Sequence, residues 1–246
     1  MIPYHGTPMT PTADMVKSFA TKHAMISYAE PRQIEVAAEI CQSVVLDNGA
    51  FSAWRQQQDY DFAGYVEWAR KWVKHPAVDW CVIPDKIDGS EADNDALMRD
   101  WPLPQFCSVP VWHFHESLDR LERLMEYPRV ALGSSGQFAS VGTEKWWSRL
   151  NDAMGVLCDK DGVPLVKLHG LRMLDPGVFS KVPLSSADSC YVARNAGMDT
   201  AWKGPYAMTS RYVRAVCLME RIEKHASATA WSKDVIGVYQ NMELFG

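Results

Sequence analysis

Hydrophobic and polar positions along this chain switch repeatedly between two periods. Short, strongly apolar runs of strand length occupy residues 2–5, 24–28, 44–47, 80–84, 106–113, 130–133, 165–169 and 187–192. Runs of this kind, rich in β-branched and aromatic side chains, read as buried strands. Between them the apolar spacing becomes three and four. Within 61–74, Phe62, Tyr65, Val66, Ala69 and Trp72 share one helix face, and within 116–126 Leu118, Leu121, Leu124 and Met125 do the same. Trp146, Trp147, Leu150 and Met154 form a third stripe, and Met208, Tyr212, Ala215, Val216, Met219 and Ile222 a fourth. Residues 14–20 and 33–41 carry shorter versions.

Strands separated by helices imply a parallel sheet, because parallel neighbours need a crossover between them. Eight such units predict an α/β fold, a (β/α)₈ TIM barrel, with an open doubly wound sheet as the alternative. The length of 246 residues suits one barrel, so a single domain spanning 1–246 is expected, with an apolar tail at 227–246 that packs down and has no assigned role.

Composition narrows the class without naming a chemistry. An apolar share of 47% with 22% charged residues is ordinary for a globular protein. No apolar stretch approaches the ~20 residues of a membrane helix. The first residues lack the basic and apolar blocks of a signal peptide, so the cytoplasm is the expected compartment. The six cysteines form no Cys-x-Cys or Cys-x-x-Cys pair, which argues against a zinc cluster or a disulfide framework. A net charge of −5 excludes a broadly basic surface but leaves room for a local basic patch.

Barrel chemistry sits at the C-terminal ends of the strands. The predicted ends here are enriched in polar residues and glycine: Tyr28, Asp47-Asn48-Gly49, Asp85, His113-Phe114-His115, Gly133-Ser134-Ser135-Gly136, His169-Gly170 and Asp188. Carboxylates are poor strand formers, so three aspartates closing apolar runs point to a site. Asp47-Asn48-Gly49 also reads as a turn, and Asp85 beside Lys86 as a loop ion pair. Asp188, flanked by small residues with no turn signal, reads most directly as functional. His113 and His115, with Asp47, Asp85 and His169, make a possible divalent-metal set and hence a metal-dependent hydrolase. A purine- or DNA-binding barrel without chemistry is a third reading. Of the ten tryptophans, Trp54, Trp112 and Trp202 stand near strand ends or loops, where they can stack on a base.

In chain order, these motifs resemble the queuine/archaeosine tRNA-guanine transglycosylase superfamily. Leu46-Asp47-Asn48-Gly49-Ala50-Phe51 is similar to the family's Asp-Ser-Gly-Gly-Phe segment, and Ile83-Pro84-Asp85 stands where a second base-binding aspartate belongs. Val130-Ala131-Leu132-Gly133-Ser134-Ser135-Gly136 resembles the strand whose glycine backs onto the base, and Val166-Lys167-Leu168-His169-Gly170-Leu171 the seventh strand. Ala187-Asp188-Ser189-Cys190-Tyr191-Val192-Ala193-Arg194 is similar to the nucleophile strand. The resemblance covers about residues 1–194.

The family's Cys-x-Cys-x-x-Cys…His zinc cluster has no counterpart here, since only Cys190 and Cys217 follow Asp188. Val111-Trp112-His113 replaces the glutamine-glycine signature, and the length leaves no room for an added RNA-binding domain. These departures move the expected substrate from tRNA to DNA, as in compact phage and bacterial relatives that insert 7-deazaguanines such as 7-cyano-7-deazaguanine. A phage protein acting in its host's cytoplasm fits that expectation.

By this resemblance Asp188 is the nucleophile and Asp47 the general acid/base. Asp85 accepts from the purine edge, Gly133 admits the base against the backbone, and His113 replaces the family glutamine. Ser134 and His169 complete the base site, with Tyr28 or Trp112 on one face of the purine. No cofactor or metal is implied. Arg194, Lys203, Arg211 and Arg214 follow the nucleophile strand and are candidates for phosphate contacts.

Overall fold

In the computed structural model, which describes residues 1–197 and 208–232, nine parallel strands form one sheet. They are β1 (Ile2–Gly6), β2 (His23–Ser27), β3 (Ser43–Asp47), β4 (Val78–Val82), β5 (Ser108–Val109), β6 (Val111–His113), β7 (Arg129–Gly133), β8 (Lys167–Gly170) and β9 (Ser186–Ser189). Their order is β5-β4-β3-β2-β1-β9-β8-β7-β6. The single run predicted at 106–113 is two segments because Pro110, lacking an N–H, interrupts the ladder between β5 and β6. β5 pairs with β4 and β6 with β7, while the Pro110 carbonyl accepts from the Ala131 N–H. The two ends of the sheet therefore meet at Pro110, giving the (β/α)₈ barrel expected.

Between and after the strands lie α1 (Thr12–Phe19), α2 (Ile34–Ile40), α3 (Ala50–Gln56), α4 (Phe62–Trp72), α5 (Glu91–Asp100), α6 (Leu118–Leu124), α7 (Glu144–Leu157), α8 (Pro176–Phe179), α9 (Tyr191–Asn195) and α10 (Arg211–Glu223), of which α3, α5, α8 and α9 fall where no helix was expected. Side-chain caps fix several starts. Asp61 accepts from the Gly64 N–H at α4, Ser117 from Arg120 at α6, and Thr143 from Trp146 at α7. The predicted stripes are the buried faces, with Tyr65, Ala69, Trp146, Leu150 and Met219 sealed beneath their helices.

α5 has no such stripe, and Asn94 is its one fully buried residue. A reciprocal Ser90–Asp93 capping box starts it instead. Several boundaries move. β4 begins two residues earlier than predicted. Phe106 and Leu165, placed in strands, lie outside them and are exposed. The last strand stops at Ser189, and Tyr191 and Val192 belong to α9.

Period-two alternation divides the strand residues between two cores. Tyr4, Met25, Val45, Trp80, Val82, Val109, Val111 and Ala131 fill the barrel, whereas Val44, Leu46, Trp112, Val130, Leu132 and Leu168 pack outward under the helices. The described start of the tail lies against α8: Ala228 donates to the Phe179 carbonyl, and Trp231 to that of Gly162. Residues 233–246, with Trp202 and Lys203, lie outside the described residues. No helix among the described residues is long and apolar enough to cross a membrane.

Candidate active site

The inward-facing residues at the C-terminal strand ends line a cavity of about 540 Å³. Asp47, Asp85 and Asp188 are all in its wall, with His113, Gly133 and Ser134. Sequence therefore located the mouth of the barrel and brought its three carboxylates to one place.

Asp188 is buried near the end of β9. Its Oδ1 accepts the Arg172 backbone N–H at 2.9 Å, and His169 Nε2 lies 3.4 Å from the same oxygen. Cys190 stands nearby in the wall, but burial, followed by the charge of Asp188, pushes its thiol up to about 11. A neutral thiol is a poor nucleophile at neutral pH.

Asp47 ends β3, where Gly49 donates its N–H to Oδ2 at 3.1 Å. Removal from bulk water, reinforced by the charges of Asp188 and Asp85, pushes its carboxyl up to about 6. It can therefore hold or release a proton near neutrality. The turn requires Gly49: its φ is +79°, and a Cβ there would stand 2.8 Å from the Ala29 nitrogen.

Asp85 is held from two sides. Asn48 Nδ2 donates to Oδ1 at 2.6 Å, and His113 Nε2 lies 2.8 Å from Oδ2. Asn48 is more than a turn residue, since it also donates to the Ile83 carbonyl and so ties the end of β3 to the end of β4. Gly133 makes room for His113: a Cβ there would meet His113 Nδ1 and Val111 Cγ1, each at 3.1 Å.

Several expected residues stand elsewhere. Tyr28 follows the inward Ser27 and so points outward, donating to Asp61 and packing on Tyr65 and Trp68. Trp112 alternates with His113 and is sealed beneath the helices, its Nε1 donating to the Ser117 carbonyl. His169 faces inward but below the cavity wall, against Trp80 and Tyr4. Ser134 lines the cavity, yet its hydroxyl accepts from Trp146 Nε1. Arg194 lines the cavity, whereas Arg211 donates to the Ala193 carbonyl and Arg214 to that of Met208, and neither is part of the lining.

The metal set does not assemble either. His113 and His115 stack at 5.6 Å, but His115 meets Ser135 and the Gly89 carbonyl while His113 meets Asp85. Among the described residues no three His, Cys, Asp or Glu side chains are placed to hold a metal ion.

Sequence reasoning missed Arg172. Its backbone has φ of +58°, unusual for a residue with a Cβ, and this aims its N–H at Asp188. Its guanidinium donates to the Ser134 carbonyl at 3.2 Å and lies 4.1 Å over the Phe51 ring. Phe51 lines the cavity, and exposed Trp54 packs on it at 5.7 Å. No local pattern distinguishes Arg172 from a solvated loop arginine.

No protein-family model, curated protein or solved structure matches this chain.

Proposed function

We propose that this protein is a base-exchange transglycosylase that replaces guanine in DNA with a 7-deazaguanine through a covalent aspartyl-glycosyl intermediate. The observation that carries the reading is the convergence of Asp47, Asp85 and Asp188 on one cavity of about 540 Å³, a size that suits a small-molecule ligand.

The three carboxylates differ in environment, which supports separate roles for them. Asp188 attacks C1′ of the target nucleotide. As its oxygen–carbon bond forms, the C1′–N9 bond breaks and the electron pair leaves with guanine. Asp47, poised near pH 6, protonates the departing base. The incoming base then gives a proton to Asp47 and attacks C1′ through its nitrogen, which releases the Asp188 carboxylate. Two displacements at one carbon retain configuration, as in retaining glycosidases.

Asp85, fixed by Asn48 and His113, keeps a second lone pair on each oxygen for the N1–H and exocyclic amine of the purine. Phe51, under the Arg172 guanidinium, offers an aromatic face, the role expected of Tyr28 or Trp112. Exposed Trp54 and Tyr191, with Arg194, give the mouth groups that stack on bases and meet phosphates. A duplex target must flip its base to reach C1′.

The test offers labelled guanine or 7-cyano-7-deazaguanine to the protein with DNA and tRNA in parallel. Label entering DNA is the expected result. Label in tRNA alone overturns the choice of polymer, and label in neither overturns the activity.

A further inference from the structure

A line of buried polar groups runs up the barrel interior to Asp188. Arg129 Nη1, at the start of β7, donates to Ser186 Oγ at 2.9 Å. Ser186 Oγ lies 2.9 Å from His169 Nδ1, and His169 Nε2 lies 3.4 Å from Asp188 Oδ1. Ser186 and His169 are fully buried and paired in register across β8 and β9, and Asp188 is two residues beyond Ser186 on the same strand face.

Hydrogen-bond accounting along this line decides which nitrogen carries the proton. Ser186 Oγ already accepts from Arg129, so its own hydrogen is free to donate to His169 Nδ1. With the proton on Nδ1 instead, the serine hydrogen would be buried without an acceptor, which is costly. A bare Nε2 lone pair would then also face the Asp188 carboxylate. Both arguments put the proton on Nε2. Burial lowers the His169 pKa, against the opposing charge of Asp188, which keeps the ring neutral. Nε2 has no hydrogen-bond partner at its present separation, and Asp188 Oδ1 is the acceptor it faces.

We infer that His169 is a positioning residue: the Arg129–Ser186–His169 chain holds Nε2–H toward Asp188, so that Oδ1 is anchored between His169 and the Arg172 backbone N–H while Oδ2 attacks. The assignment of an attacking oxygen rests on the transglycosylase reading. When Oδ2 bonds to C1′ and the electron pair departs with guanine, Oδ1 becomes the carbonyl oxygen of the ester. In the second half-reaction the same two donors receive the returning negative charge, as preorganised donors do at an oxyanion.

Two measurements test this. The first reads imidazole ¹⁵N shifts in wild-type protein labelled at histidine, with His169→Gln identifying the resonance. A neutral ring protonated on Nε2 is expected; protonation on Nδ1, or an imidazolium at pH 7, overturns the chain. The second compares His169→Leu with His169→Gln, which keeps an N–H donor near the Nε2 position. For labelled guanine exchange into DNA, His169→Leu should lower kcat about tenfold or more with KM within about threefold, and His169→Gln should recover most of it. Equal losses in the two variants, or none in either, overturn the positioning role. An Nε2–H ring in a wild-type protein that exchanges no base supports the chain and contradicts the transglycosylase reading.

Discussion

The two ends of the barrel interior use the same strands and similar residue types, yet they treat polar groups in opposite ways. At the lower end, Tyr4 donates to Asp79, His23 meets Ser43, and Arg129 donates to Ser185 and Ser186 while lying over Trp80. Charges there are matched by opposite charge, hydroxyls or an aromatic face. At the upper end three carboxylates share a cavity, and their mutual repulsion contributes to raising Asp47. Polar groups of the barrel floor are each matched by a partner, whereas like charges crowded around one cavity cost stability and mark a candidate site. The upper end is the part of the interior whose arrangement folding alone does not explain.

Substitutions at the two ends should therefore part company. Asp188→Ala should lower base exchange by at least about a thousandfold while leaving the melting temperature within a few degrees of wild type, as measured by labelled-guanine incorporation and thermal denaturation. A variant that unfolds would make Asp188 a structural residue, and one that retains exchange would remove it from the chemistry.

Asp47→Asn should cost about a hundredfold or more and erase an inflection near pH 6 in the exchange rate. It also carries a stability signature. The Asp47 carboxyl titrates above its ordinary 3.8, so its ionisation costs the folded state. That cost is absent below about pH 4 and complete above about pH 6, so stability from this group falls as pH rises. Asp47→Asn should accordingly raise stability at pH 8 by about 1–2 kcal/mol, a figure reduced for its partial contact with water, and change little at pH 4. Denaturant titrations at the two pH values check this.

Gly133→Ala forces a methyl against His113 and Val111, and a roughly tenfold rise in KM for the incoming base is expected in steady-state exchange assays. Arg194→Ala should weaken polymer binding only a few-fold and reduce its salt slope by about one. At the lower end, Tyr4→Phe should cost about 1 kcal/mol of stability by leaving Asp79 without its donor, with exchange unchanged.

Much of this contrast was legible in the sequence. The apolar runs marked each barrel strand, and the aspartates that end them stand where the chain leaves the sheet. The side each residue faces was also legible. Trp112 adjoins His113 and Tyr28 adjoins Ser27, so neither pair can point inward together. Weighing alternation above aromatic character would have excluded Trp112 and Tyr28 from the site. The depth of His169 was not legible, because it depends on how β8 is staggered against β9. Arg172, and the tie that the strand-end Asn48 makes, were missed for a related reason: their partners, Asp188, Ile83 and Asp85, are 16, 35 and 37 residues away in sequence. α5 shows the opposite case, a helix announced by its capping box and invisible to hydrophobic spacing.

The most direct measurement of the central claim is to denature the protein during turnover with a guanine-containing DNA oligonucleotide and map any covalent adduct by mass spectrometry. The account predicts an oligonucleotide, with guanine lost from its target nucleotide, joined to the peptide containing Asp188, and no adduct in Asp188→Ala. An adduct on any other residue, or base exchange without an adduct to Asp188, would contradict it.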